Sequence, residues 1–128
     1  MRDKVREFWE NRSRLVSEGE IGLRQSTSLT SSEGRAIQRR SLELRYVDKA
    51  LNEIANTNKM NLLDIGCGTG RLTTHLARRF NHVYATDYMD SFLSIATQQC
   101  QKEQINNITF ARFNSYEVDP SWSFDCCS

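Results

Sequence analysis

The apolar positions of this chain change rhythm near residue 58, and the change divides it into two parts. From Asp3 to about Val16, the residues Val5, Phe8, Trp9, Leu15 and Val16 recur at steps of three, four and seven, the period of an amphipathic helix. SEGEIGLRQSTSLTSSEG (17–34) has no period and is rich in Ser, Thr and Gly, so it predicts a loop, with a helix N-cap at Ser31 or Ser32. Ile37, Leu44, Val47, Leu51 and Ile54 then mark a second amphipathic helix from about Arg35 to Asn56, which NTNK ends. Beyond it the elements shorten and alternate. NLLDIG predicts a strand closed by glycine, RLTTHLARRF a helix with Leu72, Leu76 and Phe80 on one face, and HVYATD a strand closed by an acid. SFLSIATQQCQKEQ predicts a helix capped by Asp90 or Ser91, with Phe92, Ile95, Ala96 and Cys100 turned inward. NITFARFN reads as a third strand and SFDCCS as the opening of a fourth.

Strands alternating with helices argue an α/β fold, a parallel sheet flanked by helices with right-handed crossovers. The expected organisation is a helical cap segment over 1–58, with its loop at 17–34, and a sheet domain over 59–128. A chain of 128 residues with 38% hydrophobic and 26% charged positions has about one domain's length and a modest core. The net charge of +1 gives no global field toward a membrane or nucleic acid, and neither is an expected partner. Ten of the 17 basic residues precede position 46, which reads as a solvated helix surface. No apolar run approaches the roughly 18 residues of a membrane helix, and MRDKVREFWENR lacks a signal-peptide core, so a cytoplasmic address is expected. The four cysteines form no CxxC pair and the two histidines, His75 and His82, have no ligand-like spacing, so no metal site is expected. Cys126 and Cys127 read as small apolar strand residues in a reducing compartment.

The candidate chemistry lies in DIGCGTG. Gly66, Gly68 and Gly70 follow a buried strand directly, at the turn where such sheets meet their ligands. Bare backbone there turns tightly and comes within van der Waals reach of a ligand. The start of the following helix would add unpaired N–H groups for a carboxylate or phosphate. A dinucleotide fingerprint needs glycine at position 71, where Arg71 stands, so the spacing weakens a dinucleotide and favours the nucleoside cofactor S-adenosylmethionine. Asp87, at the end of the second strand, is placed to accept hydrogen bonds from ribose hydroxyls.

LLDIGCGTGRLT, VYATDYMDSFLSIA, NITFARFNSYEVD and SFDCCS resemble, in order and spacing, the first four sequence blocks of the class I, Rossmann-like S-adenosylmethionine-dependent methyltransferases. The resemblance covers about Asn61 to Ser128. It implies a three-layer α/β/α sheet of order 3-2-1 with a stub of strand 4, and S-adenosylhomocysteine as product. It also implies that Asp64, Gly66, Cys67, Gly68 and Gly70 lie along the methionine and ribose of the cofactor, Cys67 mainly through its backbone. Asp87 would hold the ribose, and Tyr88 or Met89 would lie against the adenine. Asn114 stands where many members have an Asp near the adenine amino group, with Ser115 beside it. An amide oxygen can still accept that bond, and a core or turn role for Asn114 stays open.

Methyl transfer from a sulfonium asks the protein to align, to exclude water and sometimes to take a proton. No catalytic residue is assigned: His75 and His82 read as ordinary helix and strand-edge histidines, and Cys67 is not a candidate nucleophile. Phe8, Trp9 and the 17–34 loop are candidates for covering an acceptor, expected to be a small molecule of unidentified kind. Full members have seven strands, so the chain reads as a truncated methyltransferase, as half of a sheet completed by a second chain, or as a short S-adenosylmethionine-binding module without catalysis. Half a sheet predicts partly shielded leucines at 62 and 63, weak stability, and self-association through the exposed edge.

Overall fold

The computed structural model describes residues 2–17, 33–113 and 121–128. It contains two compact units, Met1–Val47 and Asp48–Ser128.

The first unit is helical. Helix α1 spans Arg2–Ser17, as its period predicts. Its apolar stripe is not buried, however: Val5 and Phe8 are exposed, and Trp9 is half-buried with its ring edge-on to Phe8 at 5.1 Å. The Arg12 guanidinium lies 5.7 Å from the Phe8 ring centre. Most of the 17–34 loop, with the caps expected at Ser31 and Ser32, lies outside the described residues. Helix α2 spans Glu33–Asn52 and so stops short of Asn56. Asn56 has φ 61, a left-handed conformation a helix cannot carry through, and a single 3-10 turn at Thr57–Lys59 follows. Ile54, expected on the helix face, is therefore exposed, while Leu51 is buried.

The second unit holds the sheet. Strands β1 (Asn61–Ile65), β2 (His82–Asp87), β3 (Ile108–Arg112) and β4 (Cys126–Cys127) run parallel in the order β3-β2-β1-β4. Every residue of β1 has a partner on β2, from Asn61 opposite His82 to Ile65 opposite Thr86. β4 lies on the other side of β1, with Cys126 and Cys127 opposite Leu62 and Leu63. This is the doubly wound order in which the chain starts centrally, works outward to β3, and returns to the far side of β1.

Helix α3 (Arg71–Ala77) packs on β2, and α4 (Asp90–Lys102) packs on β2 and β3. The period of two puts Leu62 and Asp64 on one face with their register partners Val83 and Ala85. All four are buried, together with Leu76 and Ala77 of α3 and Phe92, Leu93, Ala96 and Cys100 of α4. α3 ends three residues before Phe80, which stays in the core as part of the turn beyond. Asn107 closes that corner by donating its side-chain amide to the carbonyls of Ala77 and Phe80, at 2.8 and 3.2 Å, helix-end acceptors that would otherwise lack a donor.

Two expectations need correction. Neither Asp90 nor Ser91 caps α4: the N-cap is Met89, without a side-chain bond, and Asp90 lies inside the first turn. Leu62 and Leu63 are not partly shielded either, at 3% and 5% exposure. The physical reason is the neighbouring strand. Asp125 donates its N–H to Asn61 O (2.8 Å), Ser128 donates to Leu63 O (2.7 Å), and Ile65 donates to Ser128 O (3.0 Å). That pairing keeps β1 internal to the sheet along the stretch that carries the leucines.

Candidate cofactor site

β1 delivers the chain to the carboxyl edge of the sheet, and the next five residues turn it into α3. Gly66, Gly68 and Gly70 have φ of 75, 56 and 80, all in the left-handed region that a Cβ disfavours. The space around them differs. A Cβ on Gly70 would lie 2.9 Å from Ala96 Cβ and 3.3 Å from Ala96 Cα, so this glycine lets α3 start against α4. A Cβ on Gly66 would meet no atom of the described residues within 4 Å, so the bare backbone there faces open space among them.

The loop satisfies its own donors. Gly66 and Cys67 both donate to Thr86 O, at 2.8 and 2.9 Å, Gly68 donates to Asp87 Oδ2 at 2.8 Å, and Gly70 donates to Cys67 O at 3.0 Å. Four N–H groups of the turn are thus committed within the protein. The helix that follows is only seven residues long.

Asp87 is the hub of the arrangement. Its Oδ2 accepts from Gly68 and its Oδ1 accepts from Met89 N–H at 2.9 Å. One carboxylate therefore ties the glycine loop to the start of α4, performing at that helix the ordering task assigned by sequence to Asp90 or Ser91. Each oxygen keeps a second lone pair for an outside donor.

Asp64 is placed beneath the loop and is 4% exposed. Thr73 of α3 donates to its Oδ2 at 2.7 Å, and Thr86 Oγ1 donates to its main-chain oxygen at 3.2 Å. Burial pushes its carboxyl above the usual range, the Thr73 bond pulls it back, and the nearby Asp87 charge raises it again. Cys67 is also buried, and its thiol is pushed far up by burial and then by the charges of Asp64 and Asp87. It stays protonated at neutral pH and is no nucleophile.

On the outer side, Tyr88 is 43% exposed and Met89 is half-buried. The Arg112 guanidinium lies over the Tyr88 ring, 5.3 Å from its centre, and its Nη1 is 3.3 Å from Asp90 Oδ2. Asn114 and Ser115 lie outside the described residues. His75 bonds Asp48 at 2.7 Å and His82 bonds Thr109 at 2.8 Å, each held by a neighbouring polar side chain as a structural histidine would be. Of the residues expected at the site, the structure brings Gly66, Cys67, Gly68 and Gly70 of the turn together with Asp87 at the end of β2. Sequence reasoning missed Thr73, Ala96 and Arg112. The small residue at 96 and the cation closing β3 were visible, but nothing in the chain says which turn they face.

Comparison with known proteins adds the family. The methyltransferase domain family matches residues 62–128, just over half of the chain. A Campylobacter jejuni tRNA/tmRNA (uracil-C(5))-methyltransferase is 42% identical over 67 residues, 52% of this chain and 19% of that protein. A probable cobalt-precorrin-6B C(15)-methyltransferase (decarboxylating) of Methanocaldococcus jannaschii is 27% identical over 104 residues, 81% of this chain and 50% of that protein. The chain thus spans half or less of the length of these curated relatives. In fold it is similar to Haemonchus contortus phosphoethanolamine N-methyltransferase 1, solved with phosphoethanolamine and S-adenosylhomocysteine. The TM-score is 0.65 at 23% identity, over 91% of this chain and 22% of that one. From the matched residues and the parallel sheet behind its glycine turn, the chain belongs to the class I, Rossmann-like methyltransferases, a family whose methyl donor is S-adenosylmethionine.

Proposed function

We propose that the glycine turn and Asp87 bind S-adenosylmethionine and that the chain serves methyl transfer to a small-molecule acceptor. The observation that carries this reading is the commitment of the turn's own donors. A dinucleotide asks this turn for free N–H groups to hold its pyrophosphate. Here the N–H groups of Gly66, Cys67, Gly68 and Gly70 already have partners inside the protein. What the turn still offers is close approach, at the open face of Gly66. That suits a ligand that presents a ribose and a thioether-like chain and no phosphate.

The residues then divide the work. Asp87, already oriented by two N–H bonds, accepts from the ribose hydroxyls with its remaining lone pairs. Gly66, Cys67 and Gly68 line the ribose and methionine portion with main chain. Asp64 supports them from below by fixing β1 to α3 through Thr73. Tyr88 or Met89 covers one side of the adenine, and Asn114 with Ser115 meets its amino group. When bound, the cofactor supplies a methyl group on a sulfonium with its leaving group built in. The chain's task is to hold that group at a fixed place and angle for an acceptor.

A nucleic-acid acceptor is the second reading, favoured by the relatives named for tRNA uracil methylation. A cofactor-binding role without catalysis is the third. Among the described residues no helix is long and apolar enough to cross a membrane. A cytoplasmic setting remains our proposal.

Calorimetry with S-adenosylmethionine, S-adenosylhomocysteine and NAD tests the cofactor. The first two are expected to bind, and Asp87→Ala is expected to abolish that binding. Because Asp87 also orders the loop, the variant's melting curve is recorded alongside. Binding of NAD alone would overturn the proposal. Cofactor consumption with panels of small molecules and of tRNA then separates the acceptor classes, and binding without turnover on either would favour the non-catalytic reading.

A further inference from the structure

We infer that Arg112 is a positioning residue for the adenine end of this site, acting through Tyr88. The inference rests on the proposed binding of S-adenosylmethionine. If Asp87 takes the ribose, the next side chain along the strand end, Tyr88, stands beside the sugar that carries the base. An exposed tyrosine on a connecting segment samples several rotamers, and a ligand that needs one of them must order it on binding.

Arg112 helps to set the Tyr88 ring beforehand. It is the register partner of Asp87 across β2 and β3, and the Phe113 N–H donates to Asp87 O at 3.0 Å, so the two strand ends are locked in step. The guanidinium also pairs at its far end with Asp90, in the first turn of α4, at 3.3 Å. Between those anchors it spans the Tyr88 ring at 5.3 Å, within cation–π range. Three elements thus converge on the orientation of one aromatic ring at the edge of the nucleoside position. Arginine suits the task because its plane stacks on the ring while its fork reaches the carboxylate, which a lysine cannot do at once.

The test is a calorimetric cycle with S-adenosylhomocysteine and with 5′-methylthioadenosine, which keeps adenine and ribose but lacks the amino-acid end. Arg112→Ala is expected to weaken both ligands by the same factor, about two- to five-fold, the size of an exposed cation–π contact. Tyr88→Ala is expected to weaken both by about ten-fold. The double variant R112A/Y88A is expected to match Tyr88→Ala alone, because the arginine then has no ring to hold. Arg112→Lys is expected to fall between Arg112→Ala and the parent.

Unchanged affinity in Arg112→Ala would overturn the inference, as would losses that multiply in the double variant. Weakening of S-adenosylhomocysteine alone would place the effect at the wrong end of the ligand and overturn it too. If the unsubstituted chain binds neither ligand, the function proposal itself has failed and this inference falls with it. Melting curves of all variants separate weakened binding from unfolding.

Discussion

Gly66 and Gly70 share a left-handed backbone but differ in what stands opposite them, and that difference gives two separable predictions. Alanine at 70 pays for the wrong dihedral, roughly 1–2 kcal/mol, and also for overlap with Ala96. With overpacking of about 1–3 kcal/mol, Gly70→Ala should lose about 2–5 kcal/mol of stability in denaturant melts. Alanine at 66 meets no atom of the described residues within 4 Å, so Gly66→Ala should lose only the dihedral cost of roughly 1–2 kcal/mol. Its methyl enters the space proposed for the cofactor, and S-adenosylhomocysteine affinity should fall by more than about ten-fold, the equivalent of about 1.4 kcal/mol. Equal effects of the two substitutions on binding and stability would remove the distinction. Asp64 yields a pH prediction whose sign follows from its raised carboxyl. The folded chain keeps a proton that the unfolded chain releases near the ordinary value of 3.8, so stability falls as pH rises from there through the raised value. Asp64→Asn keeps an acceptor for Thr73 and cannot ionise. Between about pH 4 and 7 its melting temperature should therefore decline less than that of the unsubstituted chain.

At the scale of elements, what the sequence showed well was type and order, because period and turn chemistry are local. Among the described residues, the four strands and four α-helices follow the order and type that the rhythm of apolar residues predicts. Ends were less legible. Phe80 and Ile54 continue a helical period, yet one is buried in a turn and the other exposed past a left-handed asparagine, and period alone cannot distinguish these cases. The start of α4 shows the same limit. Asp90 and Ser91 have the right chemistry for a cap, but Asp87 already supplies an oriented carboxylate to Met89 N–H. The short strand β4 is the element most dependent on side chains. Asp125 Oδ2 accepts from Asn61 N–H at 2.8 Å, and Asn61 Nδ2 donates to Ser123 O at 3.1 Å. Asp125→Ala should cost about 0.5–1.5 kcal/mol for the lost bond. It should also speed amide exchange at Ile65 and Ser128, whose N–H groups pair the two strands. Unchanged exchange at both would show that β4 docks without the carboxylate.

For the molecule as a whole, the turn proposed as the site was legible through three glycines and one acid, because a bare turn followed by a strand-ending carboxylate is rare enough to read directly. The sequence could not reveal that the turn's N–H groups are spent internally, since Thr86 contributes a carbonyl and any residue there would offer one. That bonding supports the proposed choice between ligand classes, and it bears on stability. The turn links β1 to α3, and Asp87 links it to α4, so a ligand seated on both is bound across the core of the second unit. Binding there favours the folded state by mass action, about 2.7 kcal/mol at a ligand concentration of 100 times Kd. S-adenosylhomocysteine should accordingly raise the melting temperature in a concentration-dependent way, and NAD at equal concentration should not. In Gly66→Ala, compared with that variant's own lower ligand-free melting temperature, the rise at equal ligand concentration should be at most about half the parent's, because its methyl weakens the ligand at least ten-fold. An undiminished rise in Gly66→Ala would mean that the ligand stabilises the chain from somewhere other than the open face of this turn.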